Sequence, residues 1–137
     1  MIVVRFDEPQ EYHAPKQETR RARIFTDEEK IGRTDILMGM SIYGPDMAAP
    51  FHSHKGSETM FIAHGKGQFG TKDKIIEVGA GEVLYFPPQE EHFLKNIGSQ
   101  TLEFIFVYSN PEDGKALKDN WIPLTKAKYY PSRAENL

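Results

Sequence analysis

Pro50-Phe-His-Ser-His-Lys-Gly-Ser-Glu-Thr-Met-Phe-Ile-Ala-His-Gly65 sets three potential metal ligands, His52, His54 and Glu58, just ahead of a readable strand. On an extended chain side chains alternate between faces, so His52 and His54 point the same way, about 6.5–7 Å apart along the chain. That leaves room for one ion between two imidazoles. Lys55-Gly56-Ser57 is a short polar turn that brings the chain back, so that Glu58 starts the next strand facing the same point. A fourth ligand is missing from the stretch, and His92 is the candidate for it.

Working outward, the chain is punctuated as an all-β domain. Ile2 to Phe6 is expected as a strand, Asp7 to Glu18 shows no usable periodicity, and Arg20 to Phe25 is a second expected strand. The arginines at 20, 21 and 23 admit an anion site or a solvated strand edge, and the second is the expectation, since charge on an edge blocks edge-to-edge pairing. Thr26 to Lys30 is read as a turn, or as one helical turn with Thr26 as N-cap. From Asp35 to Tyr43, Ile36, Met38, Met40 and Ile42 fall on one face, and Leu37, Gly39, Ser41 and Tyr43 on the other. Strands are read from Glu58 to His64, from Gln68, from Lys74 to Val78 and from Val83 to Phe86 (the last a short buried type). Two more run from His92 to Lys95 and from Thr101 to Tyr108. Pro111 to Asn120 is the one helical stretch, and the tail beyond it is expected to wrap the barrel or fray. Strands at this spacing with turns between them mean a sandwich or a small barrel.

Composition narrows the function. The 137 residues are the size of one domain, and nine Phe with six Tyr supply a core. A net charge of −3 with both signs interspersed offers no basic stripe for nucleic acid. The absence of Cys excludes a thiolate zinc site and a cysteine nucleophile. No apolar run reaches membrane-spanning length and no signal peptide is legible, so a soluble, cytoplasmic protein is expected.

The spacing His52-x-His54-x3-Glu58-x6-Gly65, followed after fifteen residues by Gly81-x5-Pro87-x-Gln89-x2-His92-x3-Asn96, closely resembles the two signature motifs of the cupin superfamily. The first motif of that family gives two His and a Glu, and the second gives the third His. The resemblance covers roughly residues 44–96. It implies a double-stranded β-helix, or jelly-roll barrel, of the small cupin type, with a core over about 20–110 of a single domain spanning 1–137 and a short C-terminal helix. Two places depart from the pattern. Asp46 stands where the first motif usually begins with Gly, and Gln89 stands at the Gly of Pro-x-Gly. Either the turn at Gln89 differs in type, or Pro88 sets a geometry that a non-Gly residue tolerates.

Three imidazoles and a carboxylate suit one divalent first-row metal, Mn, Fe, Co, Ni, Cu or Zn, with two open positions in octahedral geometry. The bland reading of four solvated or hydrogen-bonded polar residues is weaker for four matched positions than for one. Met38, Met60, His64, Gln68, Tyr85 and Phe104 are the candidate pocket residues, His13 is placed on the surface, and an open, mostly apolar pocket is expected above the ion. Such a lining suits a planar acid better than a hydroxylated sugar. The leading function is a small-molecule metalloenzyme of dioxygenase, decarboxylase, isomerase or lyase type. The rivals are a non-catalytic binding module and a storage barrel. A homodimer is expected through Ile2 to Phe6.

Overall fold

A computed structural model describes residues 1–32 and 35–124. The expected wrapping or fraying of the tail therefore falls, beyond residue 124, outside the described residues. Two antiparallel sheets face each other. The larger contains β1 (Glu11–Ala14), β2 (Gln17–Ile24), β3 (Leu37–Tyr43), β5 (Glu58–His64), β8 (Val83–Phe86), β10 (Leu102–Tyr108) and β11 (Ile122–Pro123), in the order β11-β1-β2-β3-β10-β5-β8. The smaller runs β4 (Ala48–His52), β9 (His92–Asn96), β6 (Lys66–Thr71) and β7 (Ile75–Gly79). A short helix α1 (Glu28–Ile31) precedes β3, and a 3-10 turn at Pro111–Gly114 leads into α2 (Lys115–Asn120). The all-β barrel with one short C-terminal helix is as expected.

Between the sheets lie Phe69, Met60, Ile62, Leu94 and Leu102, all essentially inaccessible to water, with Phe104, Phe106 and Phe86 around them. Removing this much apolar surface from water is the main stabilising contribution. Gly39 is required by packing, because a Cβ there would collide with the Phe106 ring and with the Arg23 carbonyl.

The N-terminal third departs from expectation. Residues 1–10 form no strand, so Ile2 to Phe6 is not the edge-pairing strand expected of it. Instead Phe6 folds onto Phe25, ring centroids 6.3 Å apart, and covers Met40 and Ile42 on the outer face of the larger sheet. The segment read as patternless contains β1, which reaches β2 through a turn with Lys16 at φ 61°. The arginines of β2 are not a solvated edge, since β2 lies between β1 and β3. Arg23 is buried on Glu11 at 2.6 Å, and Arg21 lies 3.6 Å from the same carboxylate. Asp27, not Thr26, caps α1 by accepting from Lys30 N at 3.1 Å. The Thr26 hydroxyl accepts instead from Met38 N at 2.7 Å. β8 is an exposed edge strand, with Val83 and Tyr85 turned to solvent and only Phe86 buried.

Both departures from the motif pattern fall on left-handed backbone, Asp46 at φ 66° and Gln89 at φ 69°. The turn at Gln89 therefore keeps the glycine-like conformation, and Gln carries the strain. An Asp tolerates this region better than a Gln. The left-handed conformation costs a non-Gly residue about 1–2 kcal/mol, and the freedom Gly adds to the unfolded chain returns about 0.4–1 kcal/mol of that. Gln89→Gly is expected to stabilise the protein by about 0.5–1 kcal/mol, read as a melting temperature higher by roughly 2–4 °C. An unchanged or lower melting temperature would show that the Gln89 side chain compensates the strain.

Candidate metal centre

His52, His54, Glu58 and His92 converge at one end of the barrel, with one ligand atom from each lying within 4.8 Å of all the others. The smaller sheet brings two of them together, because β4 pairs with β9 and, past a register shift between Ala49 and His52, sets His52 opposite His92. The larger sheet supplies Glu58, opposite Phe86 on β8 and Tyr108 on β10. His54 sits on the loop between β4 and β5. That loop is held by its backbone. Lys55 N and Gly56 N donate to the Asp113 carboxylate at 3.1 and 2.9 Å, Ser57 N donates to Ser109 Oγ at 2.8 Å, and the His54 carbonyl accepts from Gln89 N at 2.9 Å. The strained turn of the second motif thus steadies a ligand of the first. No sequence signal marked Asp113 or Ser109 for this role.

The tautomers are fixed by carbonyl groups, which only accept. His52 Nδ1 donates to the Pro50 carbonyl at 2.7 Å, and His92 Nδ1 donates to the Glu90 carbonyl at 2.9 Å. In the neutral rings, both Nε2 lone pairs are then free for an ion. His92 Nε2 faces Glu58 Oε1 at 3.1 Å and His54 Nε2 faces the same oxygen at 3.2 Å. The His54 atom is shielded from water, and its contact is not aligned as a hydrogen bond. A lone pair and a carboxylate oxygen this close repel unless a cation or proton stands between them. Two ligands opposite each other on an ion at ~2.1 Å stand ~4.2 Å apart, so the spread of these atoms fits a divalent metal. His92 is also stacked on Phe86, centroids 4.0 Å apart at 10°, which fixes its plane.

Burial pushes the Glu58 carboxyl up, but the imidazoles of His54 and His92 outweigh it and hold the group below its ordinary value. Burial lowers His52; the Pro50 carbonyl opposes this, and the neighbouring His92 and His54 add to it. The set is therefore one anion with neutral imidazole at His52, the protonation state that ligation needs.

A cavity of about 50 Å3 opens on the inner side of this set, touching His52 and Glu58. Among the expected pocket residues, Met60 and Phe104 line it. Four others are placed elsewhere. Met38 lies on the outer face of β3, because Leu37, Ser41 and Tyr43 take the inner one. Gln68 points away from the interior, since its neighbour Phe69 is in the core. Tyr85 lines an external cleft of about 520 Å3 between the β7 and β8 edges. His64 stands at the far end of β5 from Glu58, on Glu103 at 3.3 Å and the Thr101 carbonyl at 2.9 Å. His13, expected on the surface, is half-buried. Nor is the lining mostly apolar, for Arg20, Ser41, Tyr43 and Tyr108 contribute to it, and Leu117 with Trp121 of the α2 segment lines it as well. Burial raises Tyr43 in spite of Arg20, and raises Tyr108 further with help from Glu58, so both phenols keep their protons at neutral pH. Arg20 was legible in one respect, since Arg20, Ala22 and Ile24 share a face whose other members are apolar.

The family profile described as the cupin domain matches residues 39–108. The chain belongs to the cupin family. Among curated relatives, this cupin is 24% identical over 107 residues to auxin-binding protein 1 of Arabidopsis thaliana, an alignment covering 71% of the chain and 54% of the relative. The chain thus spans about half the length of that protein. It is 28% identical over 93 residues to an oxalate-binding protein of Thermotoga maritima, covering 67% of the chain and 76% of the relative. Among solved structures, a predicted oxalate decarboxylase of Thermotoga maritima superposes with a TM-score of 0.66 at 25% identity, covering 77% of this chain and 96% of that one. A polyketide cyclase from Streptomyces resistomycificus gives 0.70 at 18% identity, covering 97% and 93%, a likeness of fold alone.

Proposed function

We propose that this cupin holds one divalent first-row metal on His52, His54, Glu58 and His92 and acts as a small-molecule enzyme of dioxygenase, decarboxylase, isomerase or lyase type. The observation that carries the reading is the cavity at the inner side of the ligand set, with ionisable and hydroxyl groups from three other strands turned into it. A bound ion would supply Lewis acidity to an oxygen of the ligand. The chain's own groups do the rest. Glu58 contributes the compensating charge. Tyr43 and Tyr108, protonated, offer hydrogen bonds to a developing anion. Leu117 and Trp121 help to enclose the space, where such bonds strengthen as water is excluded.

The second reading, a binding module without turnover, is favoured by the size of the cavity, which is the space of one or two liquid waters at roughly 30 Å3 each. The name of the Thermotoga relative, an oxalate-binding protein, agrees with it. One experiment separates the two. Protein purified without chelator is assayed for metal, then incubated with a panel of small organic acids under air and under nitrogen and followed by NMR. Consumption of an acid by the metal-loaded protein supports the enzyme; saturable binding without consumption supports the module; absence of any stoichiometric metal ends both.

A homodimer is the proposed assembly, supported by the exposed Ile2 and Val3, apolar side chains that a second copy would cover. Light scattering at twice 15.7 kDa supports it, and a monomer's mass removes it.

A further inference from the structure

We propose that Arg20 is the anion-binding residue of the barrel, and that the ligand this cupin takes is a small carboxylic acid with a carboxylate against the Arg20 guanidinium. The proposal rests on the metal reading only for the ligand's second anchor.

Three arginines lie within four residues of β2, and the pleat sends them to different faces. Arg21 and Arg23 point outward and share Glu11. Arg20 points inward, with Ala22 and Ile24, and pairs in register with Tyr43. Its guanidinium is held by Tyr43 and Trp121. Arg20 Nε donates to the Tyr43 hydroxyl at 3.0 Å, and the group lies 5.4 Å from the centre of the Tyr43 ring and 4.9 Å from that of Trp121. These contacts fix its plane. They engage the Nε–H and set the cation near two rings, and the Nη groups, the fork that matches a carboxylate, have no carboxylate partner among the described residues.

A partly buried guanidinium calls for an anion, because a charge taken from water is costly unless it is paired. Glu58 lines the same cavity, but its carboxylate is already against His54 and His92. Among the described residues no other carboxylate lines the cavity. The missing counter-charge is therefore the ligand's. Its size follows from the space. About 50 Å3 admits one carboxylate and little more, so the ligand is a one- or two-carbon acid, or a longer acid whose remainder displaces Leu117 and Trp121. Ser41 and the Tyr43 and Tyr108 side chains supply further polar contacts. An uncharged ligand of the same shape would leave Arg20 unpaired.

The test titrates the Co(II)-loaded protein with formate, acetate and oxalate, and with their uncharged twins formamide, acetamide and oxamide, following the visible absorption of the cobalt. At least one acid is expected to bind, about 10- to 100-fold more tightly than its amide, the worth of a charge-assisted bond. Arg20→Met is expected to take up cobalt as the wild type does, and to lose that preference. Where Arg20→Met fails to fold, Arg20→Gln, which keeps a polar stem, is read in its place. An Arg20 variant that binds the acids as tightly as the wild type overturns the proposal, as does a wild type that binds none of them. If the protein takes up no cobalt, the metal reading fails by itself. Calorimetry of the metal-free protein with the same acids then decides, with Arg20-dependent binding supporting the anion site and no binding overturning it.

Discussion

Replacing His54 by Ala is expected to strip the ion from the barrel and leave the barrel standing. The imidazole is one of four converging candidate ligands, and the side-chain contact it gives up is the one with Glu58 Oε1 at 3.2 Å. Removing groups that merely orient metal ligands costs about 10–100-fold in affinity, so removal of a ligand itself is expected to cost at least about 100-fold. The loop survives because its bonds to Asp113, Ser109 and Gln89 are made by backbone atoms that the substitution leaves alone. His92 is a poorer choice for this test, being fully buried and stacked on Phe86. Metal content and thermal melting in chelator read the two halves separately. A variant that unfolds along with its loss of metal would make the ion structural. Acid gives a second readout. Because His52 is held below its ordinary value of 6.5, its neutral, ligating form persists to lower pH, and metal release is expected to have its midpoint below 6.5. A midpoint above that value would contradict the ligand role of His52.

The largest stability effect is expected far from the ion, at Glu11. Its carboxylate meets Arg23 Nη2 at 2.6 Å, both residues are 5% exposed, and Arg23 Nη1 also donates to the Pro9 carbonyl at 3.1 Å. Glu11→Ala leaves the Arg23 charge buried without its carboxylate, a loss of about 3–5 kcal/mol, or roughly 10–20 °C in melting temperature. Glu11→Leu combined with Arg23→Met removes both charges and is expected to restore most of that loss, since a buried ion pair and an apolar pair of similar volume are often equal in stability. A double variant as unstable as the single one would mean that the arginine's contacts with the Pro9 carbonyl and the Phe6 ring, 5.3 Å away, matter more than the charge.

Residues 44–96 were the legible part, and the reason is geometric. His52, His54, Glu58 and His92 are fixed by strand pleat and turn length, both of which spacing records. Glu58 to Ile62 alternates with a clear inside, because Thr59 and Phe61 are less buried than their neighbours. β3 does not, since both its faces are apolar: one packs in the barrel and the other under Phe6 and Phe25. Period-two patterning separates faces without naming the inner one, which is how Met38 came to be expected in the pocket. Tyr85 failed for a related reason, as an apolar strand at the sheet edge reads like one in the centre. Arg20 does not stand out in the sequence, because a cluster of arginines suggests solvent, while the partners that sort the three, Glu11 and Tyr43, come from other strands. The turn at Gln89 shows the opposite case, where a local rule favoured Gly and the chain kept the left-handed conformation without it.

The helix that closes the cavity has a kinetic consequence. α2 is six residues long with none of them buried, and its Lys118 holds Asp27 at 2.9 Å across the surface. So short a segment would open at small cost compared with the whole fold, and its opening frequency would then set how fast a ligand passes Leu117 and Trp121. Salt weakens an ion pair that is only partly buried, such as Lys118–Asp27. Entry and exit of a ligand would then quicken together, with residence time shortened and affinity little changed, so that salt would act on this cupin as on a door and not as on a lock.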